Sequence, residues 1–198
     1  MNFIESIRVL DGQLCNLGAH IRRSSNTLLH HFGSSGELPF GELYVSALAA
    51  MEGDNAGLYK LRVVYGREVV SVLLLPYQEP VSITLKAVEC NNIEYPFKYE
   101  DRSGLAALLQ HKGDCDDILI VKDGLVTDTS YGNIVYEMDG ELCTPASPLL
   151  KGTRRELMLQ EGLLRERDLP YGELCKCSAF YMINAMLDMK IISHICPL

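Results

Sequence analysis

The stretch 124–156, GLVTDTSYGNIVYEMDGELCTPASPLLKGTRRE, constrains this chain most. A short apolar strand ends in a single acid, Asp128. A second strand opens at Asn133-Ile134-Val135-Tyr136, turns at Asp139-Gly140 and reaches Thr144-Pro145. Asp-Gly between apolar runs supplies the positive φ angles that a two-residue hairpin turn needs. Gly152-Thr153 then opens a helix expected to run to about Arg165, with Thr153 and Glu156 spaced as a capping box.

The rest of the chain carries similar punctuation. FIESIRVL, Asp11-Gly12 and QLCNL predict a hairpin over 3–15, and a helix follows over 19–32 with Ile21, Leu28, Leu29 and Phe32 on one face. A second helix is expected over 42–51, then a turn over 53–57 and the strands LYKLRVVYG and EVVSVLLLP. Residues 77–80 read as a linker. Beyond it come the strand VSITLKAV, the helix SGLAALLQHKG and a near-continuously apolar strand over 116–121. AFYMINAML favours a strand over 180–183 that exits into a loop by Asp188. The whole is α+β in two lobes, a small N-terminal one over 1–76 and a larger one over 77–198.

Charge and cysteine usage narrow the function. The net charge is −8 with no long basic run, which argues against nucleic acid, since phosphate backbones need clustered Lys and Arg. The seven cysteines are odd in number, irregularly spaced and without a C-x-x-C pair, so no metal site is expected and a reducing cytoplasm fits. MNFIESIRV lacks the pattern of a secretory leader. The longest apolar run, Val69–Pro76, falls well short of the roughly 20 residues that span a bilayer, so no membrane is expected.

Four features combine into chemistry. Lys98, in FKYEDRSGL, stands thirty residues before Asp128. Lysine forms imines with aldehydes. A buried acid can pair with a protonated pyridine nitrogen and keep the ring electron-withdrawing. Free amides at a helix start receive phosphate, and Arg23 in HIRR could add a bidentate contact. In this order they are the parts that hold pyridoxal 5′-phosphate. Taken singly, each is ordinary: a solvated lysine, a turn acid, a capped helix, an exposed arginine.

The ordered set resembles the class IV aminotransferase family, which includes branched-chain and D-amino acid aminotransferases and aminodeoxychorismate lyase. IESIRVLDGQLCNLGAHIRRSSNTL is similar to the family's hairpin and first helix, FKYEDRSGLAAL to its lysine segment, VTDTSYGNIVY to its acid-plus-Asn-Ile strand pair, LLKGTRRE to its phosphate loop, and FYMINAMLDMKII to its last active-site strand and loop. The resemblance implies a two-lobed D-amino acid aminotransferase-like fold with the cofactor site between the lobes, and a homodimer. It implies that Lys98 is the catalytic and cofactor-bearing lysine and Arg23 the phosphate arginine. Asp128 becomes the partner of the pyridine nitrogen, and Gly152, Thr153 and Arg154 the phosphate cradle. Asn184-Ala185 line the site, closest to the lyase branch. His20 stands where the family tends to carry a structural histidine.

This sequence departs from the family's pattern in carrying Asp128 for the usual Glu, and Asp101-Arg102 where Asn is common. Arg102 could reach the cofactor's ring oxygen or a substrate carboxylate, and Arg62, Tyr65 and Arg67 are further candidates for holding that carboxylate. The chain is also short for the family. The expected activity is that of a 4-amino-4-deoxychorismate lyase, acting on a small amino substrate to release pyruvate and 4-aminobenzoate. A branched-chain or D-amino acid aminotransferase is the runner-up, and a non-catalytic relative the third reading.

Overall fold

The computed structural model describes residues 1–50 and 56–198. It resolves into two units, one of Met1–Glu79 with Phe97–Asp101, the other of Pro80–Pro96 with Arg102–Leu198. The expected boundary after residue 76 thus lies close to the first crossing, but Lys98 and its neighbours belong to the N-terminal unit.

In that unit β1 (Phe3–Leu10) pairs with the short β2 (Gln13–Leu14) across Asp11-Gly12. Both turn residues have positive φ, 47° and 80°, the signature of the tight hairpin anticipated there. Next come helices α1 (Leu17–Phe32) and α2 (Phe40–Ala49), then strands β3 (Leu58–Tyr65) and β4 (Val69–Pro76). The antiparallel sheet runs β2-β1-β3-β4. Alternation along β1 turns Phe3, Glu5, Ile7 and Val9 into the interior, each fully buried. The α1 stripe that is buried is Ala19, His20, Ser24, Thr27 and Leu28, while Leu29 is exposed. Of the expected apolar face, Leu28 is in the core and Ile21 and Phe32 pack against it, so only Leu29 departs; the helix adds a polar edge of His20, Ser24 and Thr27, which lets it meet an acid on β1. Gly33, at φ 66°, ends α1 by returning its N–H to the last turn. The turn expected over 53–57 and the end of the 42–51 helix fall mostly outside the described residues.

The segment Phe97–Asp101 lies along the start of β1. The Ile4 N–H donates to the Lys98 carbonyl at 2.9 Å, the Glu100 N–H to the Asn2 carbonyl at 2.9 Å, and Phe3 and Tyr99 form an antiparallel bridge. The Phe97 ring packs against His30 and His31, 4.7 and 4.5 Å between centroids. The lysine's backbone is thereby held as if by a further strand.

The second unit contains β5 (Ile83–Glu89), α3 (Ser103–Leu109), β6 (Asp117–Lys122), β7 (Leu125–Thr129), β8 (Asn133–Met138), β9 (Glu141–Thr144), α4 (Thr153–Gln160), β10 (Arg165–Glu166), β11 (Ala179–Asn184) and β12 (Leu187–Cys196). Its sheet runs β10-β9-β8-β11-β12-β5-β6-β7, and β7 returns to pair with β8. Six strands, β8-β11-β12-β5-β6-β7, thus close into a barrel, and the registered pair that closes it is Asp128 with Asn133. Asp123-Gly124 and Asp139-Gly140 make the same positive-φ turn as Asp11-Gly12. β6 is buried on both faces, as its apolar run predicts.

Three expectations for this unit are corrected. The helix at Thr153 stops at Gln160, where Gly162 adopts φ 71° and the Leu163 N–H turns back to Met158; Arg165 starts a strand instead. The capping box does not form. Gly152 occupies the N-cap in extended conformation, which moves Thr153 into the helix, and the Glu156 N–H donates to the Gly152 carbonyl at 3.0 Å, not to the Thr153 hydroxyl. The chain also does not leave the sheet by Asp188. Leu187–Cys196 is a ten-residue strand, antiparallel to β11 and parallel to β5, a long-range pairing with no local signature.

Candidate functional site

The N-terminal unit gathers Glu5, His20, Arg23 and Lys98. Glu5 is fully buried on β1. Arg23 meets it edge-on, Nε donating to Oε1 at 2.9 Å and Nη2 to Oε2 at 2.5 Å, the fork that suits a guanidinium to a carboxylate. His20 Nδ1 lies 2.6 Å from Oε2. Burial by itself would push Glu5 up, but Arg23 and His20 outweigh it and hold the carboxyl at about 2. Burial pulls His20 down from its ordinary value, against the pull of Glu5, and Arg23 and Lys98 add to the fall. Beside the ionised Glu5, which can only accept, Nδ1–H is the donor of that contact. Lys98 is thus within electrostatic reach of His20.

Tyr65, expected to face a substrate, is buried, and its hydroxyl interacts with Thr27 of α1. Burial pushes its phenol well up, as does the Glu5 charge. It supports the α1 interface rather than presenting a free group. Arg62 makes a loose 3.8 Å pair with Glu100, and Arg67 lies over the Phe32 ring, 5.3 Å from its centroid. Arg62, Tyr65 and Arg67 each have a partner of their own.

The barrel unit gathers Asp128, Asn133, Leu150 and Gly152. Asp128, at the end of β7, is 4% exposed. Asn133 Nδ2 donates to its Oδ1 at 2.7 Å, and the Leu150 N–H to its Oδ2 at 2.9 Å. Asn133 Nδ2 also donates to the Leu150 carbonyl at 2.8 Å. Burial pushes the Asp128 carboxyl up to about 6; the Leu150, Asn133 and Leu149 donors and the more distant Arg155 charge offset only part of that.

The other candidates of this unit have their own partners. Thr153 is buried in the first turn of α4, where the backbone N–H groups lack helical partners. Arg154 pairs with Asp188 at 2.7 Å. Arg102 Nη2 donates to the Ser130 carbonyl at 2.6 Å, fastening the start of α3 to the loop after Asp128. Asn184 caps the β11–β12 turn: its Oδ1 accepts from the Met186 and Leu187 amides at 2.8 and 3.0 Å, and Ala185 lies within that turn.

Sequence reasoning missed three residues. Glu5 carries a readable signal, an acid at an inward position of an alternating strand. Asn133 was noticed as part of a motif but not for its side chain. Arg155, 3% exposed, donates to the Pro145 carbonyl at 2.8 Å and to Glu166 at 2.6 Å, and nothing local sets it apart from Arg154. Among the described residues no cluster of three or more His, Cys, Asp or Glu is arranged to hold a metal, and no helix is long and apolar enough to cross a membrane.

Comparison with known proteins shows what the chain is similar to. The family model described as amino-transferase class IV matches residues 101–195. An uncharacterized protein of Haemophilus influenzae is 33% identical over 182 residues, covering 92% of this chain and 96% of that one. The crystal structure of a candidate 4-amino-4-deoxychorismate lyase from Haemophilus somnus superimposes with a TM-score of 0.84 at 31% identity, covering 93% of this chain and 96% of that one. A hypothetical aminotransferase of Mycobacterium tuberculosis, in its form with pyridoxal 5′-phosphate bound, shares the fold, with a TM-score of 0.75 at 19% identity over 98% of this chain and 81% of that one.

Proposed function

The chain belongs to the class IV aminotransferase family, and on that premise we propose that it is a pyridoxal 5′-phosphate enzyme with 4-amino-4-deoxychorismate lyase activity, releasing pyruvate and forming 4-aminobenzoate. The observation that carries the cofactor reading is Asp128. It is a buried acid whose hydrogen-bond donors are all neutral, and burial has pushed it up to about 6. Such a carboxylate is short of a cation, and a protonated pyridine nitrogen is a cation with one N–H to donate. The residues present therefore fit the group.

Bound, the cofactor supplies an electron sink for the negative charge left when a substrate C–H bond breaks. The protein's residues do the rest. Lys98 would hold the cofactor, and would take and return the substrate proton as general base and acid. Arg23, kept in place by Glu5, and the amides at the start of α4 receive the phosphate. Asp128 keeps the ring nitrogen protonated. Arg102, held at Ser130, would meet a carboxylate.

The lyase assignment is supported by the likeness to the Haemophilus somnus protein over nearly the full length of both chains and by the Asn184-Ala185 turn. The seven free cysteines suit a reducing cytoplasm, and a homodimer is the expected assembly. The test is visible absorbance after incubation with pyridoxal 5′-phosphate and desalting. Wild-type protein should retain a band that borohydride removes, and Lys98→Ala should not. Aminodeoxychorismate should then yield 4-aminobenzoate. Turnover of an amino-acid panel instead would make the protein an aminotransferase, and a wild type without the band would make it a non-catalytic relative.

A further inference from the structure

We propose that Asn133 is the positioning residue for the acid that meets the cofactor's ring nitrogen, and that Gly152 is a glycine to make room for it. The inference rests on the cofactor reading above and deepens it.

Asn133 and Asp128 face each other across the strand pair that closes the barrel. The buried Asn133 amide spends both of its hydrogens, one on the Asp128 carboxylate and one on the Leu150 carbonyl. The Leu150 N–H returns to the other Asp128 oxygen. Three links close a ring through β7, β8 and the loop before α4. The orientation of the amide follows, since a flipped side chain would set its oxygen against a carboxylate and a carbonyl. An acid at 133 would set charge against charge, and an apolar residue would leave Asp128 and Leu150 short of donors.

The third side of the amide explains Gly152. That glycine has φ −72° and ψ 149°, a conformation open to any residue, so backbone freedom does not demand it. A Cβ there would instead fall on Asn133 Oδ1. Asn133, Leu150 and Leu149 occupy about three of the roughly four acceptor directions of a carboxylate. The ring thus stops Asp128 from rotating and leaves it room for one more donor. It also fixes the acid and the start of α4 in one frame, so that ring nitrogen and phosphate are received at a set spacing. With an aspartate there, one methylene shorter than the family's usual glutamate, such aim matters more.

The test compares dissociation constants of the wild type, Asn133→Leu and Gly152→Ala for pyridoxal 5′-phosphate and for its 1-deaza analogue, which lacks the ring nitrogen, by equilibrium dialysis. Gly152→Ala keeps every polar group and only displaces the Asn133 amide, so it serves if Asn133→Leu fails to fold. Each variant should bind the natural cofactor about tenfold or more weakly, while binding of the analogue changes less than about threefold. Equal losses for both ligands would make Asn133 merely structural and overturn the inference. Undiminished binding of the natural cofactor by Gly152→Ala would overturn it too. A wild type that binds no cofactor brings down the parent reading before any variant is compared, and this inference with it.

Discussion

Arg23 grips Glu5 by the guanidinium edge, so the cation proposed to meet a phosphate is held by an acid buried beneath it. The asymmetry of burial sets the mutational response. Arg23→Met strands a fully buried carboxylate and should cost about 3–5 kcal/mol in urea unfolding. Glu5→Gln leaves the more exposed partner behind and should cost less, about 1–3 kcal/mol. Arg23→Lys should not restore the wild-type value, because an ammonium lacks the fork.

The same carboxyl gives an acid limb to stability. Its folded value of about 2 lies below the unfolded one of 4.5, so its contribution is complete above pH 4.5 and is lost as the pH falls through 2. Thermal melts from pH 7 to pH 2 should show Glu5→Gln losing less over this window than the wild type.

Asp128 has the opposite sign. Its folded value, about 6, lies above 3.8, so folding favours the protonated form. In cofactor-free protein, stability should decline as pH rises from about 3.8 to 6 and level off above, a span worth about 3 kcal/mol. Asp128→Asn should lack this decline in melts between pH 4 and 8. The comparison is of slopes, since the amide cannot accept on both sides.

Cys115 and Cys196 have their sulfurs 3.3 Å apart, 81 residues apart in sequence. A disulfide requires about 2.05 Å, a small approach for two side chains. Diamide should convert the two thiols to a disulfide, its own N=N bond taking up both hydrogens. The mass should fall by two hydrogens, and the melting temperature should rise by about 5–10 °C. Cys115→Ser should show neither change.

Asn184 should tolerate Asp better than Ala. An aspartate keeps an acceptor for the Met186 and Leu187 amides, whereas Asn184→Ala should cost about 1–2 kcal/mol in chemical unfolding.

What was legible in the sequence was what is encoded locally. The Asp-Gly turns at 11–12 and 139–140 announce themselves because the positive φ pair belongs to the dipeptide, and the structure adds a third at 123–124. Lys98, Asp128 and the glycine before α4 stood out through order and spacing. Tertiary demands stayed hidden. Gly152 reads as a phosphate amide in sequence, yet in space it also clears Asn133. Thr153 matches a capping pattern, but the loop geometry shifts it one place into the helix. Glu5 looks like an ordinary strand acid until α1 lays Arg23 and His20 against it. The tenth strand residue of β12 pairs with Lys86, more than a hundred positions away, and no window of sequence contains both.

The chain passes between its two units three times, after residues 79, 96 and 101. A fragment ending at 79 would keep Arg23 and Glu5 but lose the lysine bonded to Ile4. Neither unit is therefore a cassette. Exchange with a relative at a single junction would graft a foreign lysine segment onto a native first strand, or the reverse. Only a transfer that carries the five residues 97–101 along with the first 79 keeps them together, so in recombination, and in any chimera built to mix substrate preferences, Lys98 travels with β1.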